Sequence, residues 1–515
     1  MQETSMQTTL VHSSQIPAPA FTEYPDLAAA KVGGLALVCN DEFFAAKENL
    51  LRGETPIFIT DKYTEYGKWM DGWETRRSRK PGYDWCIIQL GIPGQIHGFD
   101  VYTAFFKGNY PEHCSIEVCE VDGNPDVDTL LSSETQWVEL VPKSTLRGDD
   151  HNYYEINNQQ RWTHVRLNIY PDGGVARFRV YGQATPDFSE LTEGQVIELS
   201  SIVNGGQVLL CNDMFFSPKE NLILPTKAAN MGQGWETRRR RDPGNDWVIL
   251  RLGAAGFITA IEIDTAHFKG NFVDACSLEG CLITDPVPTD FLTSRSIEWT
   301  PVLPIVKLQA DQIHRFESEV VANDQCFSHL KLTIYPDGGI SRLRIWGTPS
   351  RFERFNSRPL PHLRADLERC CGSSEWVEQM AQFYPYANRQ QVFQLAEQVA
   401  DQLQEADWLE AFAHHPQIGD LESLKQKFAS TADLASGEQA GSVGASEATL
   451  QALADGNKAY LEKFGFIFIV CATGKSADEM LTLLQSRLGN DRDHELAIAA
   501  GEQRKITRLR LEKLV

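Results

Sequence analysis

Four short motifs occur twice in the same order, and this duplication constrains the fold more than any other feature of the chain. CNDEFFAAKENL at 39–50 returns as CNDMFFSPKENL at 211–222, and GWETRRSRKPGYDW at 72–85 returns as GWETRRRRDPGNDW at 234–247. TAFFKGN at 103–109 pairs with TAHFKGN at 265–271, and IYPDGG at 169–174 with IYPDGG at 334–339. The offset is 172 from Cys39 to Cys211 but 162 from Trp73 to Trp235, so the first copy is ten residues longer, around GETPIFITDKYTEYGKWMD. Solenoid units run about 20–50 residues, so a period this long means a duplicated domain.

Within each copy the apolar period is two. Val165, Leu167 and Ile169 alternate with Arg166 and Asn168, and after the PDGG turn Phe178 and Val180 alternate with Arg177 and Arg179. Leu330, Leu332, Ile334, Leu343 and Ile345 repeat the pattern. Short alternating strands joined by Pro/Gly/Asp turns predict an antiparallel sandwich or jelly roll. Beyond residue 350 the period changes: Val392, Leu395, Ala396, Val399 and Leu403 follow the spacing of an amphipathic helix. Asp407 with Glu410, and Ser476 with Glu479, read as capping boxes. The expected fold is therefore two tandem all-β jelly-roll or β-sandwich domains, at 29–184 and 200–350, followed by an all-α domain at 362–515. Residues 1–28 read as a tail and 351–361 as a Pro-containing linker.

A chain of 515 residues exceeds a single core, and length alone suggests about three units. Net charge of -22 opposes binding to phosphate backbones or anionic lipid, so small molecules are the expected partners, with self-association left open. Eleven cysteines without a CxxC pair indicate thiols in a reducing compartment. No apolar run of about 18 residues or signal-like start is present, and the C-terminal EKLV is not an SKL-type address, so the expected location is cytoplasmic.

The repeated motifs are rich in groups suited to an anionic, urea-like molecule. Guanidinium grips a carboxylate through parallel hydrogen bonds, while carboxylates and amides accept ureido N–H groups. In an extended GWETRR segment Glu74 and Arg76 share one side and Thr75 and Arg77 the other, as do Glu236 with Arg238 and Thr237 with Arg239. The same residues also suit plainer roles: Trp73, Trp85, Trp235 and Trp247 as core, PDGG as a turn, and the Arg and Glu pairs as surface ion pairs. CNDxFF, GWETRR, FKGN and IYPDGG, twice over, resemble the allantoicase repeat across roughly residues 29–350.

That resemblance implies hydrolysis of allantoate to ureidoglycolate and urea. The chemistry needs an acid for the leaving nitrogen, activation of water, and an anion clamp. Candidates for the clamp are Arg76, Arg77, Arg238 and Arg239, and for acid or base Glu74 and Glu236. Lys107, Lys269, Asn109 and Asn271 are placed to orient ureido oxygens, and His267, standing where the first copy has Phe105, is a further candidate in the second. No HxH, HExxH or CxxC spacing marks a metal site, and metal dependence of this part stays open. A reading of a different class makes the sandwiches a noncatalytic ligand-binding platform.

The helical segment, with DWLEAFAHHPQIGD, SGEQAG, FGFIFIVCATGKSADEML and SRLGNDRDHEL, resembles the decarboxylase of 2-oxo-4-hydroxy-4-carboxy-5-ureidoimidazoline (OHCU). The resemblance implies a catalytic His415, with Glu438, Gln439 and Arg487 at the substrate. Tyr384 before Pro385, and Gln417, depart from the family's usual arginines. Loss of CO2 beside imine-like and carbonyl groups leaves a delocalised carbanion, so no cofactor is expected. A histidine titrating near neutrality would move the proton.

Overall fold

The computed structural model describes residues 17–415 and 447–515, apart from 80, 122, 124, 189, 286 and 474. It divides into two units: one runs to Pro186 and resumes over Glu193–Pro349, and the other comprises Asp187–Thr192 with Ser350–Val515.

Each repeat in the first unit is organised by one 19-residue strand, Asp84–Tyr102 and Asp246–Asp264. The first half of Asp84–Tyr102 pairs with Leu35–Cys39 and Arg161–Tyr170, and its second half with Arg177–Ala184 and Tyr153–Glu155. A register shift between Gln89 and Gly94 marks the change of partners. Gly94 permits it, because a Cβ there would lie 2.1 Å from the carbonyl oxygen of Gln183. Asp246–Asp264 behaves alike, with its shift between Arg251 and Gly256. One long strand thus serves both faces of a jelly roll.

The period-two positions form the core: Val165, Leu167, Ile169, Phe178 and Val180, with their five counterparts, are fully buried. Each such side chain contributes about 1.5–3 kcal/mol. Trp73 and Trp235 are core residues, whereas Trp85 and Trp247 are half-buried. Arg177 breaks the alternation, being buried by an ion pair with Asp71 at 2.9 Å. The tail is shorter than the sequence suggests. Phe21, Leu27 and Ala28 are buried against the first sandwich, and the Leu27 N–H donates to the Val180 carbonyl at 2.7 Å.

The second unit is helical over Leu360–Cys371, Ser374–Gln382, Arg389–Ala400, Glu405–Ala413, Glu447–Phe464, Ala477–Arg487 and Arg492–Leu514. Val392, Leu395, Ala396, Val399 and Leu403 are all buried. Ser476 and Glu479 cap one another as expected. Asp407, by contrast, is the third residue of its helix: Gln404 is the N-cap, and its N–H donates to Asp407 at 2.8 Å. The expected linker also proves structured. Ser350 caps a helix over Arg351–Phe355, Phe355 enters the helical core, and Tyr384 donates to the carbonyls of Asn356 and Arg358 at 2.9 and 2.7 Å. Among the described residues the cysteines form no disulfide, and no helix is long and apolar enough to cross a membrane.

Candidate functional site

The fold gathers the four repeated motifs at one place in each sandwich. In the first, the short strand Trp73–Glu74 of GWETRR pairs with Gly174–Val175 of the PDGG segment, Gly174 opposite Glu74. The Gly174 N–H donates to the Asn109 carbonyl at 2.8 Å, and Asn109 Nδ2 donates to Glu74 Oε1 at 2.7 Å. The Phe106 ring packs on Gly174, where a Cβ would meet it at 1.9 Å. The CND motif closes the group: Trp73 Nε1 donates to the Asp41 carbonyl at 2.8 Å, and the Arg76 N–H to Asp41 Oδ1 at 2.9 Å. The second copy repeats these contacts through Gly339, Asn271, Glu236, Trp235, Asp213 and Arg238.

Burial raises the Glu74 carboxyl above the usual carboxylate range, while the Asn109 hydrogen bond acts the other way. A cavity of about 610 Å³ beside it is lined by Glu74, Lys107, Asn109 and Asp149, with Phe58, Lys68 and Met70 from the segment that holds the ten extra residues. Lys107 pairs with Asp149 at 3.4 Å, and Lys269 with Asp311 at 3.8 Å. The same aspartates receive the N–H groups of Phe105 and His267, both at 2.7 Å. Those two residues hold left-handed backbone at φ 67° and 71°. Such conformations cost on the order of 1–3 kcal/mol in a non-glycine residue and gather at functional sites. Asp149 and Asp311 lie outside the four repeated motifs, although they share the 162-residue offset of the FKGN lysines.

The arginines lie elsewhere. Each GWE strand ends at its glutamate, and Arg76 turns to Asp41 at 2.6 Å, as Arg238 does to Asp213 at 2.8 Å. Burial works to raise Asp41 and Asp213, but the backbone and side-chain hydrogen bonds outweigh it and hold both carboxyls low. Arg77 is exposed, and Arg239 lines a separate cavity of about 310 Å³ with Arg238 and Arg240. Glu74 and Arg76 therefore do not share the side expected of a continuous strand. His267 Nε2 lies 2.9 Å from the Ala228 carbonyl, so that ring is tied to a loop. Among the described residues no group of three or more His, Cys, Asp or Glu side chains is placed to hold a metal.

In the helical unit His415 follows the helix Glu405–Ala413, its N–H donating to the Phe412 carbonyl at 3.1 Å. The preceding His414 packs on Gly372, which has φ 79° and whose Cβ would clash at 2.7 Å. Burial, with Arg510 nearby, pushes the His415 ring down to about 3 against the pull of Gln503. The ring is thus neutral, not poised near pH 7. Among the described residues His415 Nε2 and Gln503 Oε1, both buried, have no hydrogen-bond partner. Arg487 is used inside the fold: it pairs with Glu495 at 2.6 Å and donates to the Ile469 carbonyl at 2.9 Å. Gln503 and Arg510, which no sequence motif marks, are the groups at His415. Glu438, Gln439 and Gln417 lie outside the described residues.

Paired jelly rolls that build one polar cluster twice precede a helical unit in which a half-buried histidine, His415, is held neutral. Residues 25–185 and 197–350 match the allantoicase repeat, and residues 356–512 match OHCU decarboxylase. The chain is 46% identical to probable allantoicase 1 of Burkholderia mallei (strain ATCC 23344) over 333 residues, 64% of this chain and 96% of that one. It is 45% identical to allantoicase of Dictyostelium discoideum over 329 residues, 64% of this chain and 88% of that one. The crystal structure of Saccharomyces cerevisiae allantoicase is similar at TM-score 0.51 and 37% identity, covering 63% of this chain and 93% of that one. The chain belongs to the allantoicase family and carries an OHCU decarboxylase domain after its two repeats. It is a bifunctional enzyme of purine catabolism, a hydrolase and a decarboxylase in one polypeptide, and nothing favours the binding-platform reading.

Proposed function

We propose that the sandwiches hydrolyse allantoate to ureidoglycolate and urea through the Glu–Asn–Lys cluster, and that the helical domain converts OHCU to (S)-allantoin at His415. The observation that carries the first assignment is the convergence of all four repeated motifs on the Asn109–Glu74 and Asn271–Glu236 hydrogen bonds. A carboxyl beside an amide can accept ureido N–H groups and exchange a proton with the departing nitrogen. The lysines Lys107 and Lys269, each bridged to an aspartate, can reach a ureido oxygen. Arg76, Arg77, Arg238 and Arg239 would act at the rim, by drawing in the anionic substrate.

For the decarboxylase, a neutral His415 can accept the substrate's hydroxyl proton as the enol formed on loss of CO2 collapses to a carbonyl. A proton is then delivered to the neighbouring carbon. No cofactor is required in this scheme, and Glu438 with Gln439 would position the ureido arm. Both reactions suit a cytoplasmic enzyme. The test is to incubate the full chain with allantoate, with and without chelator, and measure urea, then follow freshly generated OHCU by its ultraviolet band against spontaneous decay. Urea release with no acceleration of OHCU loss would remove the second assignment, and the reverse would remove the first.

A further inference from the structure

The two sandwiches are alike in the cluster but differ in what stands over it. In the first, the insertion is fixed to the sandwich from below. Arg177, 1% exposed, donates to the Asp71 carboxylate at 2.9 Å and to the Glu54 carbonyl at 3.1 Å, and the same carboxylate receives the Ile57 N–H at 3.0 Å. Phe58 then stacks on Phe105 at 5.6 Å between centroids. Phe105 is one of the two left-handed residues at the site. In the second sandwich Gln233 stands where the first has Asp71, and Arg342 donates to the backbone carbonyls of Thr226, Gln233 and Ser341. Met231 approaches the cluster there, its sulfur 3.7 Å from Asn271 Nδ2.

The longer segment of the first copy also carries a charge that the second lacks. Lys68 Nζ is held 4.7 Å from the Phe58 ring centroid, and among the described residues no carboxylate pairs with it. Asn230 occupies the equivalent place in the second sandwich by the 162-residue offset. The charged groups lining the cavity with Glu74 are Lys68, Lys107 and Asp149, and the last two pair with each other. One cation is therefore left for a ligand. Allantoate carries one carboxylate and two ureido arms on a single carbon, so it requires one cation, amide-type partners and an acid.

We propose that allantoate is bound and cleaved in the cavity of the first sandwich, with Lys68 taking its carboxylate and Glu74 protonating the departing ureido nitrogen. The proposal rests on the hydrolase reading above and adds which repeat turns over and what grips the acid group. Glu74 transfers its carboxyl proton to the nitrogen as the C–N bond breaks, and a water oxygen bonds to the same carbon. The proton lost by that water returns to the Glu74 carboxylate, so one water is consumed and urea and ureidoglycolate leave. Phe58 and Met70 shield the reacting carbon from bulk solvent. Burial keeps the carboxyl protonated further up the pH scale, as an acid requires.

The test compares variants of the full chain by urea release from allantoate. Lys68→Met should raise KM by about ten- to a hundredfold with little change in kcat, the pattern of lost uniform binding. Lys68 is exposed, so this variant should fold normally. Glu74→Gln should lose about 10²- to 10⁴-fold in kcat, at least about tenfold more than Glu236→Gln. A loss at Glu236→Gln equal to or above that at Glu74→Gln, or an unchanged KM in Lys68→Met, overturns the proposal. Calorimetric binding of N-carbamoylglycine separates it from the hydrolase reading. If the wild-type chain releases no urea, that reading fails, while binding abolished by Lys68→Met would still place the ureido-acid site in the first sandwich. Binding indifferent to Lys68→Met would not.

Discussion

Asn109 Nδ2 donates to Glu74 Oε1 at 2.7 Å, and Asn271 makes the same bond to Glu236 across the duplication. In the first sandwich this bond has a readable electrostatic consequence. Burial raises the Glu74 carboxyl and Asn109 lowers it, so removing the amide leaves only the raising influence. An acid works below its pKa and fails above it. Asn109→Ala should therefore move the alkaline limb of kcat/KM for urea release to higher pH, while lowering the maximum through lost positioning. A limb that stays in place in Asn109→Ala would show that Glu74 is not the group titrating.

The duplicated motifs announced two sandwiches, and the change of period announced the helices, because both are local patterns that burial enforces. The site was legible to the extent that its parts repeat. Glu74, Asn109 and Lys107 stand in motifs and converge, whereas Lys68 lies where the two copies differ in length and has Asn230 at its place, so no repeat marks it. Strand alternation predicts Arg76 on the side of Glu74. The strand stops at Glu74 because Asp41 captures both the N–H and the guanidinium of Arg76, and that contact spans 35 residues of sequence. Asp407 looked like an N-cap because a carboxylate suits both ends of a capping box.

The Asp71–Arg177 pair should be costly to break on one side only. Both side chains are almost wholly enclosed, so Asp71→Ala leaves a buried guanidinium without its counter-charge. Removal of one partner of such a pair costs about 3–5 kcal/mol. We expect a clear fall in the urea midpoint of Asp71→Ala, whereas Gln233→Ala, at the equivalent place in the second sandwich, should lose far less. Equal losses would mean that the ion pair does not hold the insertion.

Arg487 offers a parallel case in the helical unit. Its guanidinium meets Glu495, itself fully buried, and stands 4.6 Å from the Phe468 ring centroid. Arg487→Met is expected to destabilise the protein by about 3–5 kcal/mol by leaving Glu495 unpaired. KM for OHCU, measured at a temperature where the variant is folded, should change little. A stable variant with a greatly raised KM would return Arg487 to the substrate.

His415 is held neutral by burial, with Arg510 adding to the effect, and this fixes what its pH dependence must look like. An unfolded histidine titrates near 6.5, whereas the folded ring is pushed down to about 3. Between those values the unfolded chain binds the extra proton and the folded chain does not. Stability from this group is thus complete above about pH 6.5 and is lost as the pH falls toward 3. Wild-type protein should lose stability between pH 7 and pH 5, and His415→Asn should lose less, because asparagine takes up no proton. The same neutrality means that kcat/KM for OHCU should show no inflection near 6.5 from the free enzyme. His415→Asn should lower the decarboxylation rate by about 10²- to 10⁴-fold with the fold intact by circular dichroism. A wild-type inflection near 6.5 that disappears in His415→Asn would show the ring to be an ordinary titrating imidazole and not one held neutral by its surroundings, whereas an unchanged rate in His415→Asn would remove the proton-acceptor role.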